Sequence, residues 1–154
     1  MKNIIAFIIS IATGIVAGAQ PGTLDRTFGT EGRVFSESFT AICDAMAVQP
    51  DGKIIAGGAG GYNEIGGVFV TRYNSDGSLD ISFGDEGRVV TDLPGTGGSY
   101  IQSIAVLPTG KILAAAWFGL YNLIDIALLQ YNPNGSLDSS FGVNGIVITD
   151  IAKL

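Results

Sequence analysis

The sequence predicts an all-β fold of β-propeller-like blades of four antiparallel strands, with about two blades plus the start of a third. Three observations support this: a long repeat, four β-rich runs in each repeat, and no helical periodicity in residues 20–154. A glycine-containing stretch occurs three times, at Gly22, Gly77 and Gly135, with spacings of 55 and 58 residues. Such a long, nearly fixed period indicates a repeat architecture and takes precedence over local patterns.

The repeat divides the chain into units of about 22–76 and 77–134 and a partial unit of 135–154. A tight Pro-x-Gly turn joins two of the β-rich runs in each full unit, at Pro50–Gly52 and at Pro108–Gly110. Proline presets φ for the first turn position, and glycine accepts the left-handed conformation that follows. In the middle unit the expected strands are residues 87–92, 101–107, 111–116 and 127–132.

The strand after the tight turn is apolar at consecutive positions, as in Ile54-Ile55 and Ile112-Leu113. A strand that is apolar on both faces is covered on both faces. Small residues beside it, such as Ala45 and Ala114, let neighbouring sheets approach closely. Four-stranded sheets stacked radially form a propeller. A two-unit sandwich or a β-solenoid also covers both faces, but a solenoid coil is shorter than this repeat.

Residues 1–19 have the three parts of a secretory signal peptide. Lys2 supplies the positive start, residues 4–16 are uncharged, and Ala17-Gly18-Ala19 fits a small-x-small cleavage site. The uncharged run is shorter than the roughly 20 apolar residues of a membrane span. The sequence therefore predicts a secreted or cell-surface protein, with a mature chain of residues 20–154 that has no membrane partner after cleavage.

Composition limits the chemistry that the chain can perform. Its net charge is −6 and no basic patch is present, which argues against a nucleic-acid partner or an anionic membrane surface. Histidine, the commonest general base and metal ligand, is absent. Cys43 is the only cysteine, so no disulfide can form within the chain, and we interpret it as a small buried apolar residue.

Residues 47–58 (AVQPDGKIIAGG) and 72–84 (RYNSDGSLDISFG) resemble the delta-60 repeat, a propeller-type repeat of exported bacterial proteins. The chain is also similar, more distantly, to NHL-type blades. The resemblance covers nearly all of residues 21–150. It implies a propeller-like fold and an exported protein. It transfers no catalytic residues, because the delta-60 family has none established.

The repeated stretch carries an aspartate and a phenylalanine at fixed positions: Asp25 and Phe28, Asp80 and Phe83, Asp138 and Phe141. We expect each carboxylate to accept backbone N–H bonds within its turn and each phenylalanine to fill the core beneath. The alternative is a calcium site at Asn74, Asp76 and Asp80, whose oxygens a hard cation prefers. The other two copies lack this full ligand set, so we expect no cofactor and keep calcium as the alternative.

We expect no catalytic, cofactor-binding or metal-binding residue, and hence a non-catalytic module with a structural or an interaction role. Loops on a rigid repeat scaffold commonly bind ligands. The residues expected to form the loop at 117–125 include Trp117, Phe118 and Tyr121, which we take as a candidate patch for a protein or glycan. The alternative is that these aromatic side chains pack in the core. A second function class is a hydrolase or lyase whose site forms only in an assembled ring.

Two blades are fewer than the four to eight of a closed propeller. Open sheet faces and edges promote association. We therefore expect either self-association that closes the propeller, a longer parent protein, or a compact two-sheet sandwich.

Overall fold

A computed structural model describes residues 22–35, 41–60, 67–95, 97–120 and 123–151. The predicted signal peptide lies outside these ranges. The described residues form eight strands in two four-stranded antiparallel sheets, in which sequence neighbours are also sheet neighbours. This confirms the predicted all-β fold of four-stranded blades. Over the same ranges, no helix is both long and apolar enough to cross a membrane.

We call the two sheets blade 1 and blade 2. Blade 1 contains β1 (Ala41–Val48), β2 (Ile54–Gly60), β3 (Gly67–Tyr73) and β4 (Arg88–Asp92). Blade 2 contains β5 (Gly98–Val106), β6 (Ile112–Leu120), β7 (Leu123–Tyr131) and β8 (Ile146–Thr149).

The tight turns close the first hairpin of each blade. In blade 1 the Gln49 N–H donates to the Lys53 carbonyl at 2.8 Å, and the Gly52 N–H donates back to the Gln49 carbonyl at 2.9 Å. Gly52 has a φ of +83°, which a residue with a side chain adopts only with strain. The Pro-x-Gly sequence therefore fixes the register in which β1 meets β2.

Each sheet begins at a different strand of the repeat from the one that the sequence led us to expect. Residues 87–92 were expected to open the second unit, but β4 pairs with β3, with Val89 opposite Val70, and so completes blade 1. This expectation was wrong because a period gives the length of a repeat but not the strand at which a sheet begins. The repeated stretch thus connects the third strand to the fourth, and residues 22–35 contain its first copy.

Each blade has two faces, which we name by their repeat positions. The front face carries Ile54 and Tyr73 in blade 1, which pair across β2 and β3, and Ile112 and Tyr131 in blade 2. The back face carries side chains at the alternate positions. It includes Ile55, Val68, Val70 and Thr91 in blade 1 and Leu113, Ile126, Leu128 and Thr149 in blade 2.

The back face of blade 1 packs on the front face of blade 2, and β5 contacts β1, β2 and β3. A Cβ atom added at Gly57 would lie 2.8 Å from Cδ1 of Ile104 and 3.2 Å from Cδ1 of Ile101. At one side of this contact the Thr91 and Tyr131 hydroxyls share a buried hydrogen bond of 2.9 Å. This interface forms the centre of the hydrophobic core.

Cys43 lies on the front face of blade 1 and is exposed. The sequence-based expectation that it is buried was therefore wrong. Its counterpart in blade 2 is Ile101, 58 residues later, which is fully buried. The difference follows from the neighbours, because the front face of blade 2 is covered by blade 1 whereas no described sheet covers the front face of blade 1.

A second contact joins successive repeats through their turns. The turn at Gly135 docks on Phe83, Gly84 and Val89, and the Gly84 N–H donates to the Asn134 carbonyl at 2.8 Å. The turn at Gly77 docks in the same way on residues 28–34, where the Gly29 N–H donates to the Asp76 carbonyl at 2.7 Å. We call each receiving Phe-Gly…Val set a socket.

Two glycine-to-alanine variants, compared with each other, measure how much the docked turn contributes to the free energy of unfolding. Gly135 and Gly22 occupy the same turn position with φ of +92° and +85°. A Cβ atom on Gly135 would lie 2.9 Å from the Gly84 nitrogen, whereas one on Gly22 meets nothing within 4 Å. We expect Gly22→Ala to cost about 1 kcal/mol of backbone strain and Gly135→Ala about 1–3 kcal/mol more from overlap.

Chemical denaturation of the two variants checks this difference. Equal losses in the free energy of unfolding would show that both variants lose stability only through backbone strain at a positive φ, and that the packing of the docked turn contributes none.

Candidate functional site

The most polar buried feature of blade 1 is an ion-pair network around Asp80. One carboxylate oxygen, Oδ2, accepts from Lys53 Nζ and Arg72 Nε, both at 2.7 Å. The other, Oδ1, accepts from the Ser82 backbone N–H at 3.1 Å and from its hydroxyl at 2.6 Å. Asp80 is buried, so these donors replace the water that a carboxylate otherwise requires. The network therefore holds the turn that contains Asp80 against the start of β2 and the end of β3.

Arg72 extends this network to the following repeat. Its Nη1 donates to the Pro133 carbonyl at 2.6 Å, and its guanidinium carbon lies 4.7 Å from the centre of the Phe83 ring. Phe83 is fully buried. The guanidinium therefore connects the Asp80 turn, the core phenylalanine and the docked turn of the next repeat.

Blade 2 repeats the arrangement with one cation fewer. Asp138 Oδ2 accepts from Lys111 Nζ and from Gln130 Nε2, each at 2.6 Å, and Oδ1 accepts from the Ser140 hydroxyl at 2.7 Å. Gln130 stands where blade 1 has Arg72. Phe141 is only partly buried, and no described turn docks against its socket.

These contacts shift the acidity of both carboxyl groups. The hydrogen bonds from Lys53 and then Ser82 hold the pKa of Asp80 far below its ordinary value of 3.8. Lys111 and then Ser140 do the same for the pKa of Asp138. Both groups remain ionised at neutral pH and are occupied as acceptors in their turns.

The first copy of the repeated stretch is more exposed. Asp25 Oδ1 accepts from the backbone N–H of Thr27 at 2.9 Å and from its hydroxyl at 2.6 Å, and these bonds lower the pKa of Asp25. Phe28 is partly buried and lines the socket for the Gly77 turn. Residues 22–35 therefore carry the turn and the socket of a repeat on an exposed segment.

The residues considered for calcium make other contacts. Asp76 Oδ1 accepts from the Ser78 backbone N–H and hydroxyl at 2.9 and 2.6 Å, and Asn74 Nδ2 donates to the same hydroxyl at 3.0 Å. Asp80 faces Lys53 and Arg72 instead. Among the described residues, no group of three or more His, Cys, Asp or Glu side chains is arranged to hold a metal ion.

The candidate aromatic residues occupy a different element from the one expected. Trp117 and Phe118 were expected in a loop, but both lie in β6, which continues to Leu120. This expectation was wrong because the alternating burial of a strand continues past Ala116 without a turn. Phe118 is buried, whereas Trp117 is on the opposite face and partly exposed. Tyr121 lies outside the described residues.

Trp117 stacks on Tyr100, which sequence reasoning missed. The ring centres are 4.4 Å apart and the ring planes differ by 20°. The two residues are opposite each other across β5 and β6. The register that pairs them includes an irregularity between Ile101 and Ser103, so the strand pattern alone does not bring them together.

The stacked pair lines a surface cleft of about 250 Å³, together with Gly98, Gly119, Leu120 and Ile124. A Cβ atom on Gly98 would lie 2.8 Å from Cε2 of Tyr100, so glycine is what makes room for the tyrosine ring. A larger groove of about 520 Å³ lies between the front face of blade 1 and residues 28–35.

Comparison with known proteins gives one family. The model of a β-propeller domain of unknown function (DUF5122) matches residues 49–83 and 107–141. Each matched segment covers the second and third strands of a blade and the following turn up to Phe83 or Phe141. The chain is built of β-propeller-type repeats. Searches of curated proteins and of solved structures found no match.

Removing the Asp80 carboxylate tests the network. In Asp80→Asn, the buried Arg72 and the partly exposed Lys53 lose their counter-ion, and we expect a loss of about 3 kcal/mol in the free energy of unfolding. Asp138→Asn should cost less, because its second partner, Gln130, is neutral. Chemical denaturation at pH 7 measures both losses. A loss for Asp80→Asn no larger than that for Asp138→Asn would contradict the role given to Arg72.

The same network predicts how stability depends on pH. A depressed folded-state pKa contributes stability that is present above the unfolded value of about 3.9 and is lost as the pH falls further. We expect the free energy of unfolding to fall below about pH 5 in the native protein, and to fall less steeply in Asp80→Asn. Equal slopes in the native protein and in Asp80→Asn would contradict the prediction.

Proposed function

We propose that the protein is an exported, non-catalytic β-propeller-type module that binds carbohydrate at Tyr100 and Trp117. The observation that carries this proposal is the stacked aromatic pair lining an open cleft. Aromatic rings offer a large apolar surface with a polar tip and are favoured where a ligand is both apolar and hydrated. A sugar ring has this mixed character, with C–H groups on its faces and hydroxyls around its edge.

The size of the cleft supports a small ligand or the end of a longer one. Its volume of about 250 Å³ lies below the roughly 300–1,000 Å³ of pockets for drug-sized ligands. Gly98 and Gly119 pair across β5 and β6 beside the aromatic rings. Because neither glycine has a side chain, neither covers the rings. The cleft therefore suits one sugar ring stacked on an aromatic face better than an extended peptide.

The pair is not required by the fold. At the same positions, 58 residues earlier, blade 1 has Ile42 and Ala59, and it forms the same four-stranded sheet. A purely structural requirement of the repeat would occur in both blades. Ile42 also remains 57% exposed although blade 2 packs beside it, which shows that this corner of a blade stays open when the next blade is present.

The non-catalytic and exported parts of the proposal have separate support. The recurrent carboxylates Asp80 and Asp138 are held by lysines and neighbouring turn donors, which favours a structural use of these acids. Export is supported by the signal-peptide pattern of residues 1–19 and by the resemblance to the delta-60 repeat. A binding module outside the cell has access to glycans.

Trp117 is the only tryptophan, so its fluorescence reports directly on the cleft. We expect one class of oligosaccharide in a defined panel to change its emission with a saturable dose dependence. Tyr100→Ala should weaken binding about tenfold or more, which is 1.4 kcal/mol, because it removes half of the platform. Trp117→Phe retains an aromatic ring and should bind more tightly than Trp117→Ala, as measured by calorimetry.

The contrary outcomes are specific. If Trp117→Ala unfolds without cooperativity, the pair is structural and the ligand site is discarded. If Tyr100→Ala binds the oligosaccharide as well as the native protein, the sugar binds elsewhere. Binding of a protein partner alone, with no response to any glycan, would replace carbohydrate as the ligand class.

A further inference from the structure

Blade 1 and blade 2 leave complementary faces open. Within the chain, the back face of blade 1 contacts the front face of blade 2. The described residues leave the groove on the front face of blade 1 and much of the back face of blade 2 without a neighbouring sheet. We propose that the back face of blade 2 docks on the front face of blade 1 in a second copy of this chain, repeating the contact between the two blades.

The open front face has the residues that this contact requires. Met46 corresponds to Ile104 and Cys43 to Ile101, the two positions whose blade 2 side chains reach Gly57. Met46 is 67% exposed, and both Met46 and Cys43 line the apolar groove of about 520 Å³. This surface is therefore a continuation of the interface already present in the chain.

The open back face matches as well. Ile126 corresponds to Val68, which is fully buried against blade 2, whereas Ile126 is 42% exposed. Position 57, which receives Ile101 and Ile104, corresponds to Ala115. A Cβ atom at position 57 would lie 2.8 Å from Cδ1 of Ile104, so the methyl group of Ala115 requires the docked side chain to shift, which the flexible Met46 side chain can do.

The hydrogen bond between blades also has its counterparts. Tyr131 and Thr91 form it within the chain, and the residues at the same repeat positions are Tyr73 and Thr149. Tyr73 lies on the open front face and lines the groove, while Thr149 lies on the open back face. A second copy thus supplies both the apolar and the polar part of the repeated interface.

Residues 22–35 set the condition for this assembly. Phe28, Gly29 and Val34 hold the turn at Gly77 in the way that Phe83, Gly84 and Val89 hold the turn at Gly135. The same set in blade 2 is Phe141, Gly142 and Val147, on which no described turn docks. A second copy brings this set to the place that residues 28–34 occupy, so the N-terminal segment must move aside for the copies to join.

Each copy contributes two blades, so two to four copies would give the four to eight blades of a closed propeller. The contact is head to tail, and such contacts form rings when the rotation closes. The Tyr100–Trp117 cleft is at the open corner of the back face and remains accessible, as Ile42 does in blade 1.

Two face variants and their mixture test the proposal on the purified full chain. Met46→Asp disables the front face of blade 1, and Ile126→Asp disables the back face of blade 2. Light scattering after size exclusion should show a discrete assembly for the native chain and monomers for each variant alone. An equimolar mixture should form one-to-one pairs, because each pair retains one intact interface. Ile81→Asp, at a turn position 76% exposed, is the matched control and should assemble like the native chain.

Cys43 provides an independent measurement. Because it is the only cysteine, its reaction with a thiol reagent reports on the groove. Its reactivity should fall as the protein concentration rises in the native chain and in the mixture, but not in either variant alone. Phe28→Ala loosens the N-terminal segment and should strengthen assembly.

The proposal is overturned by a native chain that stays monomeric across the concentration range, or by single variants that still assemble. A mixture that does not pair also overturns it. Unchanged or weaker assembly of Phe28→Ala overturns the displacement of residues 22–35.

Discussion

The structure depends on one constraint: the apolar back face of blade 1 needs a neighbouring sheet to cover it. The repeat supplies this neighbour by stacking the back of one blade on the front of the next. The same repeat position then has different burial in the two blades. Ile101 is fully buried and Cys43 is exposed, although both occupy the same place in a strand. Burial in this chain is therefore a property of the neighbouring blade as much as of the residue.

The polar contacts of the repeat follow the same logic. Both blades have a lysine at the same repeat position, Lys53 and Lys111, because each lysine pairs with the aspartate of its own blade. Arg72 and Gln130 differ, and only Arg72 reaches a following turn, through the Pro133 carbonyl. Gln130 satisfies Asp138 within its blade, and the described residues place no later turn beside it. The change from arginine to glutamine thus coincides with the loss of a contact between repeats.

Sequence reasoning gave the fold class because the repeat period and the number of strands are local and recurring signals. It did not give the strand at which each sheet begins, since a repeat period has no marked starting point. The ion pairs Lys53–Asp80 and Lys111–Asp138 join residues 27 positions apart, a separation that no turn motif encodes. Tyr100 was missed because an irregularity in β5 sets its register against Trp117. Fold class is encoded locally, whereas the sites depend on register and on contacts between blades.

Comparing the two nearly equivalent blades also separates the residues that serve the fold from those that do not. The Asp80 and Asp138 turns and the tight Pro-x-Gly turns occur in both blades, as do the tyrosine and threonine positions of the hydrogen bond between blades, which is consistent with a role in building and stacking sheets. Tyr100 and Trp117 replace Ile42 and Ala59 without any change in strand order. This substitution, which the fold does not need and which places two stacked rings beside a cleft, is the basis of the carbohydrate site proposed above. Function in this repeat protein is therefore to be sought where the repeats differ.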